Sequence, residues 1–185
     1  MSAVDTGTDI NGPGRHVLVR ASDAEVLASR PGTSTTLLAE SGTTGGALTV
    51  NRATFRQGVE GTPAHYHTKM SEMLFVLSGA LQVLAADEVL ILGEGDVLIA
   101  PPLMWHAWAP APGSDADALV VFTPGIDRFD YYRLLDRVNR GEAEPAEIQA
   151  SQERFDNHYV DSPAWRAARA AAKDGASTWA EDIPV

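Results

Sequence analysis

Short apolar segments that end at glycine, proline, aspartate or asparagine fill the middle of this sequence, and they limit its possible folds more than any other feature. Eight of them lie between His16 and Gly125, from "TTLLAE" to "ALVVFT", and each has about the length of one β-strand. The stretches "AADE" and "LGEGD" between neighbouring segments are typical of tight turns. Many short strands separated by turns predict an all-β sandwich or barrel.

The chain divides into three parts by sequence pattern. Residues 1–15 are polar and glycine-rich, which predicts a flexible tail. Residues 16–125 hold the predicted strands. Residues 126–185 change to a helical spacing of apolar residues, and Ser162 is suited to cap a helix with the following proline in its first turn. We therefore expect a β-barrel followed by a short helical C-terminal extension.

Composition and charge exclude several classes of site and partner. The 185 residues include no cysteine, so disulfides, thiolate metal sites and cysteine nucleophiles are excluded. The formal net charge of -11 argues against nucleic acid and anionic membrane surfaces as partners. The N-terminal residues lack the apolar core of a signal peptide, and no apolar run reaches membrane-spanning length. We expect a soluble cytoplasmic protein that acts on a small molecule.

Two histidines lie two positions apart in "AHYH", just before a predicted strand. Because side chains alternate between the two faces of a strand, His65 and His67 point the same way and Tyr66 points the other way. On the inside of a barrel, two such imidazoles can bind one metal ion. The short connection "TKMS" predicts an antiparallel return of the chain, which brings Glu72 close enough to add a carboxylate oxygen.

A further histidine, His106, opens a later predicted strand after a Pro-Pro turn. Three imidazoles and one carboxylate suit one divalent transition metal from the set Fe, Ni, Co, Mn, Cu and Zn. A six-coordinate ion with these four ligands keeps two positions for water, substrate or dioxygen. The alternative is that His65 and His67 are solvated loop residues, but the presence of Glu72 and His106 in the same chain favours the metal site.

The same residues resemble the two sequence motifs of the cupin superfamily. In the first motif a His-x-His pair is followed after three or four residues by Glu, and after six more by Gly. This chain has four residues between His67 and Glu72 and six between Glu72 and Gly79. The second motif is matched from Gly95 to His106, with its proline in register.

Three positions depart from the family pattern, and none of them is a metal ligand. The glycine before the first histidine comes one place early, at Gly58, while Leu103 replaces a turn glycine and Pro110 replaces a final asparagine. The resemblance covers residues 46–125 and implies a double-stranded β-helix, the cupin jelly-roll barrel, with one bound metal. The implied metal ligands are His65, His67, Glu72 and His106.

One barrel followed by helices is a layout similar to that of bacterial quercetin dioxygenase-like cupins. This resemblance implies a metal-dependent dioxygenase that acts on an aromatic, enol or polyketide-like molecule, with Glu72 also acting as a proton acceptor. Leu74, Val76 and Trp108 are expected to line an apolar substrate cavity, although packing in the barrel core is an equal alternative for Trp108. A non-redox isomerase or cyclase with the same ligands, and a binding protein without catalysis, remain open.

A row of apolar residues follows the glutamate on the opposite face of its strand. Met73, Phe75 and Leu77 alternate with the residues expected inside the barrel, so they are expected to face outward. A wide apolar row is rarely left in contact with water. We therefore expect a homodimer, with the C-terminal helices covering the apolar surface that the dimer leaves exposed.

Overall fold

The computed structural model describes residues 16–176 of the chain. The tail predicted at residues 1–15 and the end of the extension at residues 177–185 lie outside the described residues. The strands are β1 Glu25–Leu27, β2 Thr33–Ala39, β3 Thr49–Phe55, β4 His65–Tyr66, β5 Ser71–Ala85, β6 Glu88–Gly93, β7 Val97–Ala100, β8 His106–Pro110, β9 Ala116–Thr123 and β10 His158–Tyr159. The helices are a 3₁₀ helix at Ser41–Thr43, α1 Phe129–Asn139, α2 Pro145–Ala150, α3 Gln152–Phe155 and α4 Pro163–Ala176. None of the helices within residues 16–176 has the length and hydropathy needed to cross a membrane.

Strand β5 connects the two sheets of the barrel. Its first half pairs with β7 and β9 and its second half with β6 and β8, so this one strand of 15 residues passes from one sheet to the other. The pairing with β9 shifts register after Val76, and Gly79 follows at a φ of 72°. The strand order is β1-β2-β3-β9-β5-β8-β4-β10, and every pairing is antiparallel. The predicted antiparallel barrel with a helical extension is confirmed.

Buried and more exposed side chains alternate along the long strands, and the buried ones form the barrel core. Leu74 and Val76 of β5 are buried, and so are Val120 and Phe122 of β9, which lie on the neighbouring strand. Burial of each of these side chains away from water stabilises the folded state by roughly 1.5–3 kcal/mol. The same buried cluster includes Ala53, Phe55, Met70, Leu81, Val83, Trp108, Ala116 and Ala118.

The C-terminal extension packs into the barrel and adds a strand to it. The short strand β10 pairs with β4, and its register places Tyr159 opposite His65. Arg169 of α4 is buried and donates hydrogen bonds to the Gln82 side chain at 2.8 Å and to the Pro110 carbonyl at 3.1 Å. Sequence analysis predicts only helices in this part of the chain, because a strand of two residues carries no recognisable hydrophobic pattern.

The first residues of the predicted barrel do not form a strand. Residues 16–20, "HVLVR", have no regular secondary structure, and Val17 and Leu18 are exposed. The barrel begins instead at Glu25, where β1 pairs with β2. The apolar residues of this segment therefore do not contribute to the core.

Replacing Gly79 with alanine is expected to destabilise the barrel. A Cβ at this position would lie 2.0 Å from the carbonyl oxygen of Asp115, and the positive φ adds strain of its own. We expect the free energy of unfolding, measured by urea denaturation, to fall by roughly 3 kcal/mol. Gly95→Ala is the matched control, since Gly95 has a φ of 88° but no atom within 4 Å of an added Cβ, and it should lose only about 1 kcal/mol. Equal losses in the two variants would contradict the close contact as the cause.

Candidate metal centre

Four buried side chains converge inside the barrel. His65 begins β4, His67 follows that strand, Glu72 is the second residue of β5 and His106 is the first residue of β8. One ligand atom from each of the four residues lies within 4.8 Å of all the others. The four residues that the sequence analysis names as metal ligands are therefore neighbours in the structure.

The route by which Glu72 reaches the histidines differs from the expected one. The expectation that the histidine strand pairs directly with the glutamate strand is wrong, because β4 pairs with β8 and β10. Glu72 instead pairs with Ala100 and Phe122 in the other sheet. The connection "TKMS" thus crosses from one sheet to the other, and Glu72 meets the histidines across the barrel interior.

One oxygen of Glu72 faces the Nε2 atoms of all three histidines. The distance from Glu72 Oε2 is 2.9 Å to His67 Nε2, 3.1 Å to His106 Nε2 and 3.9 Å to His65 Nε2. The other oxygen, Oε1, accepts a hydrogen bond of 3.1 Å from Nε1 of Trp108. Trp108 therefore fixes the orientation of the carboxylate and leaves Oε2 turned toward the imidazoles.

The remaining nitrogen of each imidazole is held by a backbone carbonyl. A carbonyl oxygen only accepts hydrogen bonds, so Nδ1 carries a proton in each ring and Nε2 is the nitrogen that can bind a metal. This arrangement fixes the tautomer and the ring orientation that a metal ligand needs. The three pairs are His65 with Pro63 at 2.8 Å, His106 with Met104 at 2.9 Å and His67 with Asp156 at 2.5 Å.

Asp156 joins the C-terminal extension to the ligand loop. It is buried and takes a left-handed conformation, with φ 49° and ψ 46°, at the end of α3. Its carbonyl accepts a hydrogen bond from Nδ1 of His67, and its carboxylate accepts hydrogen bonds from the backbone N–H groups of Thr68 and Lys69, each at 2.9 Å. Burial disfavours the charged carboxylate, but the hydrogen bonds from Thr68 and Lys69 outweigh it and lower the pKa of Asp156. Sequence analysis missed this residue, because a lone aspartate after a short helix carries no metal-site signal.

The turn that precedes His106 keeps its geometry without the expected glycine. Leu103 has a φ of 70°, in the left-handed region that favours glycine, and its side chain is exposed. Its N–H donates to the carbonyl of His67 at 2.7 Å, so the turn is tied to the ligand loop. The left-handed conformation costs about 1–2 kcal/mol in a residue with a side chain, and the ligand positions are nevertheless maintained.

Burial and charge set the protonation of the four residues. Burial lowers the pKa of His65 to about 3, with a further contribution from His106, and burial also lowers the pKa of His67. Burial opposes ionisation of Glu72, but the attraction of His106 and the hydrogen bonds of all three histidines hold the pKa of Glu72 well below its usual value. Burial likewise opposes a charge on His106, but the attraction of Glu72 outweighs it and raises the pKa of His106. A metal ion at this site would therefore bind an anionic carboxylate and displace a proton from His106.

The donor set fits one divalent transition metal. Three imidazole nitrogens and one carboxylate oxygen are borderline ligands that suit the metals from iron to zinc. The ligands are buried, and backbone carbonyls hold the three imidazole rings, as is usual around bound metals. We therefore assign the four residues as the candidate ligands of a single ion.

A cavity of about 400 Å³ borders this centre. His65, Glu72 and Trp108 lie on its wall, together with the aromatic rings of Phe55 and Phe122. Leu74 and Val76, expected on the same wall, pack instead in the barrel core at 2% and 0% exposure and do not line the cavity. Their side chains point inward as predicted, but neighbouring core residues enclose them.

The C-terminal extension supplies much of the cavity wall, which the sequence analysis did not predict. It expects an apolar lining from the strands, whereas the wall contains the buried cation Arg128. The helical spacing of "DRFDYYRLL" predicts a helix, but such a pattern alone does not show that its aromatic residues face a cavity. The other lining residues of the extension are Tyr131, Tyr132, Leu135, Asp136, Asn139, Asn157 and Tyr159.

Loss of one ligand is expected to release most of the metal. His106→Ala removes an Nε2 donor from a site that has no other described histidine within reach, so the purified variant should contain less than about a tenth of the wild-type metal, judged by elemental analysis. His16→Ala is the control, because His16 is exposed and far from the cluster in the chain. Full metal content in His106→Ala would show that the ligand assignment is wrong.

Several solved structures share the fold of this chain. KdgF from Halomonas sp. is 22% identical at a TM-score of 0.51, and the match covers 60% of this chain and 96% of that one. An RmlC-like cupin from Shewanella frigidimarina is 19% identical at a TM-score of 0.52, and the match covers 63% of this chain and 96% of that one. The polyketide cyclase RemF from Streptomyces resistomycificus is 16% identical at a TM-score of 0.50, and the match covers 68% of this chain and 98% of that one. At these identities the likeness shows a common fold.

The family comparison agrees with the barrel and with the ligand pattern. Comparison with curated proteins gives no match to this chain. Residues 51–122 match the family model described as a cupin domain, and all four candidate ligands lie within that range. Residues 51–122 of this chain therefore match a cupin domain, and they contain a candidate metal centre of three histidines and one glutamate.

Proposed function

We propose that this chain is a metal-dependent cupin dioxygenase that acts on an aromatic, enol or polyketide-like small molecule. The observation that carries the proposal is a buried cluster of three histidines and one glutamate on the wall of a cavity of about 400 Å³. His65 and Glu72 both line this cavity, so a molecule bound there lies next to the centre. The volume is in the range of sites that hold small organic ligands.

The residues around the cavity have distinct parts in the proposed reaction. A metal held by the four ligands would supply open coordination positions and electron transfer between substrate and dioxygen. Glu72 is ionised and lines the cavity, and we assign to it the acceptance of the hydroxyl proton of a bound enol or phenol. Trp108 holds its carboxylate in place through Oε1. Phe55, Phe122 and Trp108 offer aromatic surfaces that suit a planar substrate.

A second candidate is a cyclase or isomerase without redox chemistry. The same four ligands would then hold a metal that acts as a Lewis acid on a carbonyl group. The observation that favours this candidate is the fold likeness to a polyketide cyclase from Streptomyces resistomycificus. The two candidates differ in their need for dioxygen and for a redox-active metal.

Oxygen uptake by metal-reconstituted protein tests the proposal. Chelated protein is loaded separately with Fe(II), Ni(II), Co(II) or Zn(II) and mixed with a flavonol or a related enol in an oxygen electrode. We expect oxygen-dependent loss of substrate with at least one of the first three metals. Zinc should give none, because it has no accessible redox change.

The controls separate the candidate functions. His106→Ala should show no uptake with any of the metals, since it lacks one ligand. Equal turnover with zinc and under nitrogen would contradict the dioxygenase and support the cyclase or isomerase. Substrate binding without turnover under any condition would instead indicate a binding protein.

We also propose that two chains associate through the outer face of the sheet that contains β5 and β7. Met73 and Phe75 are half-buried in one chain and Leu77 is exposed, while Val97 and Ile99 of the neighbouring strand β7 are 49% and 59% exposed. Register pairs Met73 with Ile99 and Phe75 with Val97, so these side chains form one apolar surface. Such a surface is typical of a protein interface.

Light scattering at micromolar concentration tests this association. We expect a particle of twice the 19.7 kDa chain mass, and Ile99→Lys should convert it to the single-chain mass because it places a charge in the apolar surface. Ile91→Lys is the matched control, since Ile91 is 58% exposed on β6, outside this surface. A wild-type particle of 19.7 kDa would contradict the dimer.

A further inference from the structure

A buried guanidinium lies on the wall of the cavity beside the candidate metal centre. Arg128 comes just before α1 and is 2% exposed. Its Nη1 donates to the carbonyl of Phe155 and its Nη2 to Oδ1 of Asn157, each at 3.0 Å. Both acceptors are neutral; Phe155 is the last residue of α3, and Asn157 lies between α3 and β10.

None of the carboxylates in the described part of the chain forms an ion pair with Arg128. The acidic residues on the cavity wall are all engaged by other groups. Glu72 faces the three histidines, Asp136 pairs with Arg140 at 2.7 Å, and Glu60 lies 3.9 Å from Arg169. The charge of Glu72 attracts the Arg128 guanidinium, but none of the described carboxylates pairs with it directly. A buried cation that lacks a direct ion pair makes a bound anion a favourable partner.

The same pair of residues carries more hydrogen-bond donors than acceptors. Within residues 16–176, Arg128 Nε and Asn157 Nδ2 are buried N–H groups that have no acceptor. Both residues line the cavity. A guanidinium and an amide NH₂ group can only donate, so a ligand that satisfies them must bring acceptor oxygens. Leaving such groups without an acceptor costs about 1–3 kcal/mol each.

Arg128 is one aromatic ring away from a candidate metal ligand. Its guanidinium carbon lies 4.5 Å from the centre of the Phe122 ring, and the same ring makes a T-shaped contact with His67 at a centroid distance of 5.7 Å. Tyr131 and Tyr132 enclose the guanidinium at 4.8 and 5.7 Å. The cation is therefore held rigidly between aromatic side chains and close to the centre.

We infer that the substrate of this cavity carries a carboxylate group and that Arg128 is the residue that binds it. The planar guanidinium matches the two oxygens of a carboxylate, and the aromatic wall suits an unsaturated or aromatic body. This inference rests on the proposed function in taking the cavity as the substrate site, but it does not depend on the reaction being an oxygenation. Arg128 is thus a specificity-determining residue contributed by the C-terminal extension.

Calorimetric titration of the full-length, metal-free protein tests the inference. Benzoate is the probe, and benzamide is its neutral counterpart of nearly the same shape. We expect benzoate to bind at least about tenfold more tightly than benzamide, as a charge-assisted hydrogen bond to a buried guanidinium predicts. Arg128→Met should lose at least about tenfold in benzoate affinity. Arg128→Lys should retain part of the affinity, because lysine keeps the positive charge but lacks the planar pair of N–H donors.

Arg133→Met is the charge-matched control. Arg133 lies on α1, is half-buried, pairs with Glu25 and Asp130, and does not line the cavity. Its substitution should leave benzoate affinity unchanged. Circular dichroism shows whether each variant is folded. If Arg128→Met is unfolded, the benzoate affinity of Arg128→Lys relative to wild type tests the inference instead.

Two results would overturn the inference. One is equal affinity of the wild-type protein for benzoate and benzamide, or no binding of either. The other is a folded Arg128→Met variant that binds benzoate as tightly as wild type. Because the protein is metal-free in this experiment, benzoate binding that depends on Arg128 would stand even if no oxygen uptake were found. Conversely, oxygen uptake with a neutral enol would survive the failure of benzoate to bind.

Discussion

The carboxylate of Glu72 is the group on which the rest of the site depends. It is 2% exposed, and a charge buried to that degree is stable only when other groups compensate it. Three Nε2 atoms and the indole N–H of Trp108 surround it, and they come from the segments around β4 and β8. The barrel must therefore hold three strands from two sheets in register for this one charge to be compensated. The same geometry presents four ligand atoms to one point.

The C-terminal extension completes what the barrel begins. The carbonyl of Asp156 fixes the ring of His67, and β10 pairs with the strand that carries His65. The extension also supplies Arg128, a buried cation on the wall of the cavity. A cupin barrel of this size provides ligands for a metal, and the elements added after it determine the shape and charge of the space around them. We expect substrate choice to depend more on these additions than on the ligands themselves.

The sequence predicts the barrel and the four ligands well, for physical reasons that are local. Turn residues and strand periodicity depend on nearby positions, and the motif from His65 to Gly79 fixes ligand spacing within a few residues. The cavity is different, because its wall combines strand residues such as His65 with groups such as Tyr159, which comes 94 residues later in the chain. Leu74 and Val76 have the inward direction predicted for them, yet the residues packed over them decide that they belong to the core.

Arg128 and Asp156 could not be identified from sequence for the same reason. A single arginine before a helix and a single aspartate after one are common at protein surfaces. Only the folded arrangement shows that the arginine is buried with neutral hydrogen-bond acceptors and that the aspartate carbonyl meets His67. The sequence signals for helices in this region were correct, whereas the direction of their side chains required the tertiary structure.

The central claim is that one divalent ion is held by three histidines and Glu72, with the His67 ring fixed by the extension. A crystal structure of the cobalt-loaded protein, with anomalous scattering measured at the cobalt edge, tests it most directly. We expect one strong anomalous peak bonded to three Nε2 atoms and one Glu72 oxygen, with Nδ1 of His67 hydrogen-bonded to the carbonyl of Asp156. A peak bonded through Nδ1 atoms, a peak at another site, or no peak in the barrel would contradict it.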